Sequence, residues 1–240
     1  MKKKIIENTK TIFFALIIAL IIRSFLFQPF YIPSSSMEPT LLIGDRIFVS
    51  KYSYGYSRHS FPFSPNFYSK RFFKKIPERG DVIVFKTPQD NRTDYIKRLI
   101  GLPGDIIQFI NGELYINKKK IERISKIIDF KINLPGTADV YEEILPNGKK
   151  FTVAYTKEYN LNKNSDQYTI PPNKYFFMGD NRDNSSDSRN LGGVGYVSEI
   201  NLVGKANFIF FSNDMNNGNF FEFWNWSKSI RFERLFNKIK

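Results

Sequence analysis

The chain has no cysteine and a single histidine, His59, among its 240 residues. Without cysteine there is no disulfide, no thiol nucleophile and no thiolate-ligated metal. With one histidine, a serine nucleophile has almost no imidazole to draw on and needs another base. Tryptophan is scarce, with 2 residues, but phenylalanine numbers 25 and aromatics reach 17%, a content that excludes a disordered chain. Negative charge is in deficit: 23 Asp and Glu face 36 Lys and Arg, for a formal net charge of +13. That balance suits nucleic acid, anionic lipid or simply a lysine-rich proteome. No nucleic-acid-binding signature accompanies it, so no nucleic-acid partner is expected. Long apolar runs are lacking everywhere except near the N-terminus.

There, Met1-Lys2-Lys3-Lys4 precedes a stretch from Ile12 to Ile22 without a polar residue. Alone, that run has the length of a signal-peptide core. Extended from Thr11 to Phe30, it reaches the ~20 residues that a bilayer crossing needs. Arg23 then lies near the outer end, where its head can snorkel to the interface. No small-x-small cleavage site follows, and Gln28-Pro29-Phe30-Tyr31 is a poor exit for a cleaved signal. A retained single-pass anchor over residues 11–30 is therefore expected. Lys2, Lys3, Lys4 and Lys10 place residues 1–10 in the cytoplasm, by the positive-inside rule. Residues 31–218 then form an outer domain, ahead of a tail over 219–240.

The outer domain reads as strands. Arg46–Val49, Asp81–Phe85, Phe151–Tyr155, Tyr175–Met178 and Ala206–Phe211 are short β-rich runs between turn signals. Asp105–Ile110, Asn111-Gly112 and Glu113–Ile116 read as a hairpin, because Asn-Gly supplies the positive φ angles of a type I′ turn. No helical periodicity appears between residues 40 and 205, so the expectation is a mostly β fold of antiparallel sheets behind one transmembrane helix. Ser53–Pro77 and Ile121–Gln167 look inserted. The first is an aromatic surface loop or a lipid-facing patch, with His59 expected to be solvated rather than catalytic. The tail combines Phe220, Phe221, Phe223, Trp224 and Trp226 with a basic end. It suits a membrane surface or a terminal helix packed on the core.

Chemistry concentrates in three places. Ile32-Pro33-Ser34-Ser35-Ser36-Met37-Glu38-Pro39-Thr40 puts a serine cluster next to the anchor. Tyr95-Ile96-Lys97-Arg98-Leu99-Ile100 puts a lysine in an apolar strand. Burial disfavours an ammonium ion and lowers its pKa, so a lysine there can serve as a neutral base. A lone strand lysine is more often a solvated edge residue. Gly179-Asp180-Asn181-Arg182-Asp183-Asn184-Ser185-Ser186-Asp187-Ser188-Arg189 is a dense polar loop. By itself it reads as successive Asx turns, or weakly as a calcium loop, though it misses the EF-hand pattern.

In order along the chain stand an apolar anchor, P-S-S-S-M-E-P-T-L-L-I-G-D, R-G-D-V-I-V-F, D-Y-I-K-R-L-I-G-L-P-G-D and G-D-N-R-D-N-S-S-D-S-R. Together they resemble the bacterial type I signal peptidases, serine endopeptidases that use a Ser-Lys dyad. The resemblance covers the anchor and most of the outer domain. It implies Ser36 as nucleophile and Lys97 as general base, working through an acyl-enzyme. It implies an oxyanion hole from the Ser34 side chain and the Ser36 backbone N–H, and Ser185 and Asp187 as the groups that position the lysine. Phe30, Ile32, Leu41, Val84 and Ile96 match positions lining apolar substrate pockets. No metal or cofactor is implied. The expected substrates are signal peptides of secretory preproteins with small residues at −1 and −3. Membrane lipid and a secretion translocon are the expected partners. The expected location is the bacterial inner membrane, with the N-terminus cytoplasmic and the catalytic domain on the periplasmic side.

Two departures stand out. Many Gram-negative members have two spans, where one is visible here. Ser35 lies where glycine is common, and Met37 fixes the register on Ser36. A self-cleaving repressor would share the Ser-Lys chemistry but carry a DNA-binding front end instead of an anchor. A scaffold with a degraded site would lack polar positions that are all present.

Overall fold

The computed structural model describes residues 2–66, 68–126, 138–156, 164–214, 217–218 and 222–240. It opens on a helix, α1 (Lys2–Ile21), which continues as a π-helical turn over Ile22–Leu26. Lys4–Leu26 is long and apolar enough to cross a membrane, and none of its most apolar window is buried in the protein. Most of its leucine, isoleucine and phenylalanine side chains stay exposed, as lipid-facing residues would. The helix thus begins before Thr11, and Phe27–Phe30 are already strand.

That strand, β1 (Phe27–Tyr31), is the edge of a seven-stranded sheet in the order β1-β2-β14-β3-β4-β12-β13. The others are β2 (Asp45–Ser50), β3 (Val82–Lys86), β4 (Asp94–Gly101), β12 (Lys174–Met178), β13 (Val197–Ser198) and β14 (Leu202–Ser212). A second sheet has four strands: β5 (Ile106–Ile110), β6 (Glu113–Ile116), β7 (Lys119–Lys120) and β11 (Tyr168–Thr169). A third has three: β8 (Glu122–Lys126), β9 (Ala138–Ile144) and β10 (Lys150–Thr156). Neighbouring strands pair antiparallel throughout. The mostly β fold read from the sequence is the fold observed. Asn111 and Gly112 take φ angles of 52° and 77°, as a type I′ turn between β5 and β6 requires.

Within the expected insertion over Ile121–Gln167, β8, β9 and β10 build the third sheet, while 127–137 and 157–163 lie outside the described residues. In the expected tail, residues 219–221 are also outside them. Trp226–Ser229 is a single helical turn, after which the chain runs back along β14, bridging Phe208 to Lys238. Arg231 and Arg234 reach the fully buried Asp45, Arg234 at 2.6 Å. His59 corrects an expectation: it is buried rather than solvated, because a 3₁₀ turn over Arg58–Ser60 tucks it inward.

Packing explains where the site lies. Ile32, Met37, Leu41, Ile47, Val49, Val82 and Val84 form one buried cluster under the serine segment. The β-branched run of β3 supplies part of this floor, as expected of a strand buried on both faces. β4 is flanked by β3 and β12. A side chain from a strand paired on both sides is held on a stiff backbone.

Candidate active site

The serine segment leaves β1 and turns sharply. Ile32 donates its N–H to the Asp45 carbonyl at 2.9 Å, and Pro33 ends the pairing because it has no N–H. Ser35–Met37 then form a 3₁₀ turn. Met37, 1% exposed, anchors the turn in the cluster below. This anchoring sets which serine faces the strand lysine: Ser36 Oγ lies 2.6 Å from Lys97 Nζ. Ser34 Oγ lies 3.4 Å from Ser36 Oγ and is more exposed. The first amides of a helical turn have no partner within it, which leaves the Ser36 N–H without an acceptor in the turn.

Lys97 is 4% exposed. Burial lowers its pKa from 10.5 to about 8, against the opposing charges of Asp187 and Asp180 and with help from Arg189. Nζ also reaches the Ile96 carbonyl at 3.1 Å and sits 5.4 Å from the centre of the Tyr95 ring. Lys97 and Tyr95 thus share a face of the strand, as a period of two requires. Arg98, on the other face, is 1% exposed and grips Asp180 with two nitrogens, at 2.7 and 2.6 Å. Its guanidinium stacks over Phe151 at 4.1 Å.

The polar loop after β12 closes over both residues. Asp187 accepts from the Gly179 N–H at 2.9 Å and from Arg189 through Nε and Nη2, each at 2.8 Å. Burial pushes the Asp187 carboxyl up, but Arg189 and the Gly179 amide outweigh it and hold the group below its usual value. It stays ionised, facing the lysine. Ser185 is near enough to add to this effect, yet its hydroxyl completes no well-formed hydrogen bond. Gly179 has to be glycine on steric grounds, since a Cβ would collide with the Ser185 hydroxyl and the Ser36 carbonyl.

A cleft of about 620 Å³ opens in front of Ser36 and Lys97. Phe30, Ile32, Val84 and Ile96 line it with Ser34, Ser36 and Lys97. Leu41 is fully buried in the cluster behind that wall and is not among the lining residues.

The residue pattern has counterparts in known proteins. The family model "Signal peptidase, peptidase S26" matches residues 5–211. The chain belongs to that family. A signal peptidase I of Rickettsia akari is 42% identical over 254 residues, covering 94% of this chain and 90% of its own. One of Rickettsia massiliae is 43% identical over 248 residues, with the same two coverages. A crystal structure of a signal peptidase I from Enterococcus faecalis is 30% identical, covering 55% of this chain and 97% of its own. Its TM-score is 0.32, a superposition too loose to bear on the fold. As a family member the chain is a hydrolase, a serine peptidase that removes signal peptides. Among the described residues one helix, at the N-terminus, is long and apolar enough to cross a membrane, which fits a single-pass membrane protein.

In this signal peptidase several residues beyond the sequence expectations shape the serine turn. Asn181 donates its backbone N–H to the Ser36 carbonyl at 3.2 Å and its Nδ2 to the Ser35 carbonyl at 3.1 Å. Asn184 donates to Ser35 Oγ at 2.9 Å. Thr40 donates to Asp180 at 2.5 Å, linking the far end of the turn to the same loop. The loop's density of Asp, Asn and Ser signalled local hydrogen bonding. Only the fold shows that those bonds span two distant segments.

Proposed function

We propose that Ser36 attacks the scissile carbonyl of a signal peptide while neutral Lys97 takes the proton from its hydroxyl. The observation that carries this reading is the 2.6 Å contact between Ser36 Oγ and a buried lysine Nζ whose pKa is lowered to about 8. At neutral pH a useful fraction of such a lysine has a free lone pair, as general-base work requires. The ammonium then hands its proton to the leaving amine, leaving an acyl-enzyme ester on Ser36. Water deprotonated by Lys97 hydrolyses the ester. Asp187 and Asp180 stabilise the ammonium that forms between these transfers. The Ser36 N–H and Ser34 hydroxyl donate to the oxyanion as it develops.

The substrate lies extended beside β1, whose outer edge is unpaired within the sheet. Phe30, Ile32, Val84 and Ile96 wall apolar subsites that take small residues at −1 and −3. Leu41 sets their depth from behind. Residues 1–10 are cytoplasmic, the anchor ends before β1, and the catalytic domain through 218 lies on the periplasmic side of the inner membrane, near lipid and translocon. The aromatic, basic stretch over 219–240 closes the chain.

The test is incubation of the detergent-solubilised protein with a precursor whose signal ends in Ala-x-Ala, followed by mass analysis of both products. A single cut after the second alanine is expected. Intact precursor, or a cut elsewhere, contradicts the assignment.

A further inference from the structure

A second, basic pocket lies where the apolar helix meets the β domain. It encloses about 320 Å³ and is lined by Arg23, Lys86 and Arg92, with Asp94 its one acidic residue. Lys86 pairs with Asp94 at 2.8 Å. Among the described residues the Arg23 and Arg92 side chains make no hydrogen bond or ion pair, so two guanidinium groups face one cavity uncompensated. Further cations stand behind the wall. Burial lowers Lys51 to about 7, opposed by Asp94 and assisted by Arg23, Lys86 and Arg71. Burial, with Arg58, Lys86, Arg71 and Lys51 adding to it, also lowers His59, to about 4. Burial is the main cause of both shifts, and the surrounding cations add to it.

The rim is apolar. Tyr56 donates its hydroxyl to the Phe25 carbonyl at 3.0 Å, and Phe61 meets the Phe25 ring at 5.5 Å, so the loop is tied to the end of the helix. Beside them Phe63 is 101% exposed, on a backbone with φ of 63°. A bulky residue rarely adopts that left-handed conformation, and such outliers point to function.

We propose that this pocket binds the phosphate of an anionic phospholipid headgroup, with Arg23 and Arg92 as its ligands and Phe63 set among the acyl chains. The inference rests on Lys4–Leu26 being a membrane span, which places Arg23 at headgroup depth. Guanidinium forks match a phosphodiester in charge and geometry, and aromatic rings favour the interface. The pocket adjoins the Ser36 cleft and shares Phe30 and Asp94 with it, but the cleft's lining excludes Arg23 and Arg92.

The test is native mass spectrometry of the full chain in detergent, titrated with phosphatidylglycerol, phosphatidylcholine or inorganic phosphate. Phosphatidylglycerol is expected to be retained in preference to phosphatidylcholine, and excess inorganic phosphate to leave it bound. R23Q/R92Q is expected to weaken its retention about thirtyfold, at roughly 1 kcal/mol per cation. R23K/R92K should fall between wild type and R23Q/R92Q, because it keeps the charge and loses the fork. Equal retention of both lipids, wild-type retention by R23Q/R92Q, or full displacement by inorganic phosphate would overturn the proposal. Peptide cleavage in lipid-free detergent serves as the folding control for R23Q/R92Q. Should that variant lose activity, R92Q alone carries the test, and unchanged phosphatidylglycerol retention in it counts against the site.

Discussion

Among the described residues two lysines are buried and pushed toward neutrality, and they differ in what they touch. Lys97 is 4% exposed with a pKa of about 8, and Lys51 is 1% exposed with a pKa of about 7. By pKa alone Lys51 is the better candidate. Its Nζ, however, meets a backbone carbonyl, that of His59 at 3.3 Å, whereas Lys97 meets the Ser36 hydroxyl at 2.6 Å beside an open cleft. His59, the only imidazole, does meet a hydroxyl, that of Ser64 at 2.9 Å, but the pair lies in the loop beside the anchor and does not line the Ser36 cleft. A depressed pKa is a consequence of burial, and catalysis requires in addition a hydroxyl to deprotonate and room for a carbonyl.

The comparison can be broken most sharply by removing each lysine in turn. K97A and S36A are each expected to reduce precursor cleavage to background with the fold retained by circular dichroism, while K51M keeps its rate within about twofold. Substantial cleavage by K97A, or its collapse in K51M, would reverse the two roles. S34A comes next. The loss of one oxyanion donor lowers kcat by ~10²–10³ with little change in KM, measured by steady-state peptide cleavage. A KM effect alone would place Ser34 in ground-state binding instead. A smaller effect concerns stability. For Lys97 the fall from 10.5 to about 8, at ~1.4 kcal/mol per pKa unit, corresponds to about 3 kcal/mol lost at pH 7. The unfolded chain holds this proton up to about 10.5 and the native one only to about 8, so wild-type stability rises with pH across that window. K97M should therefore be more stable than wild type at pH 7, and denaturant midpoints should show the gap closing as pH rises. K51M should show a parallel gain, so that the two variants share a stability effect and differ in activity.

The parts of this contrast were unequally legible in the sequence. Strand β3 and the β5–β6 hairpin announce themselves through a β-branched run and an Asn-Gly turn. Both are local signals. The serine and lysine motifs likewise stand out as words. Their contact depends on an edge strand and a central strand being brought together, which no local pattern encodes. β1 was hidden because Phe27–Tyr31 continues the apolar composition of the anchor, and only its pairing with β2 marks it as strand. His59 was misread because a polar residue between Arg58 and Ser60 looks solvated. The Ser57 hydroxyl accepts the His59 N–H at 3.2 Å, and that cap turns the ring inward. The clamp of Asn181 on the Ser35 and Ser36 carbonyls is tertiary, and composition could only say that the loop was polar.

The central claim is that Ser36 is activated by neutral Lys97. The pH dependence of single-turnover acylation of Ser36, in wild type and in K51M, tests it most directly. The rate should climb with pH as Lys97 loses its proton, with a midpoint at about 8, and the same midpoint should appear in K51M. A midpoint that moves or disappears when Lys51 is replaced, or a profile flat across that range, would contradict it.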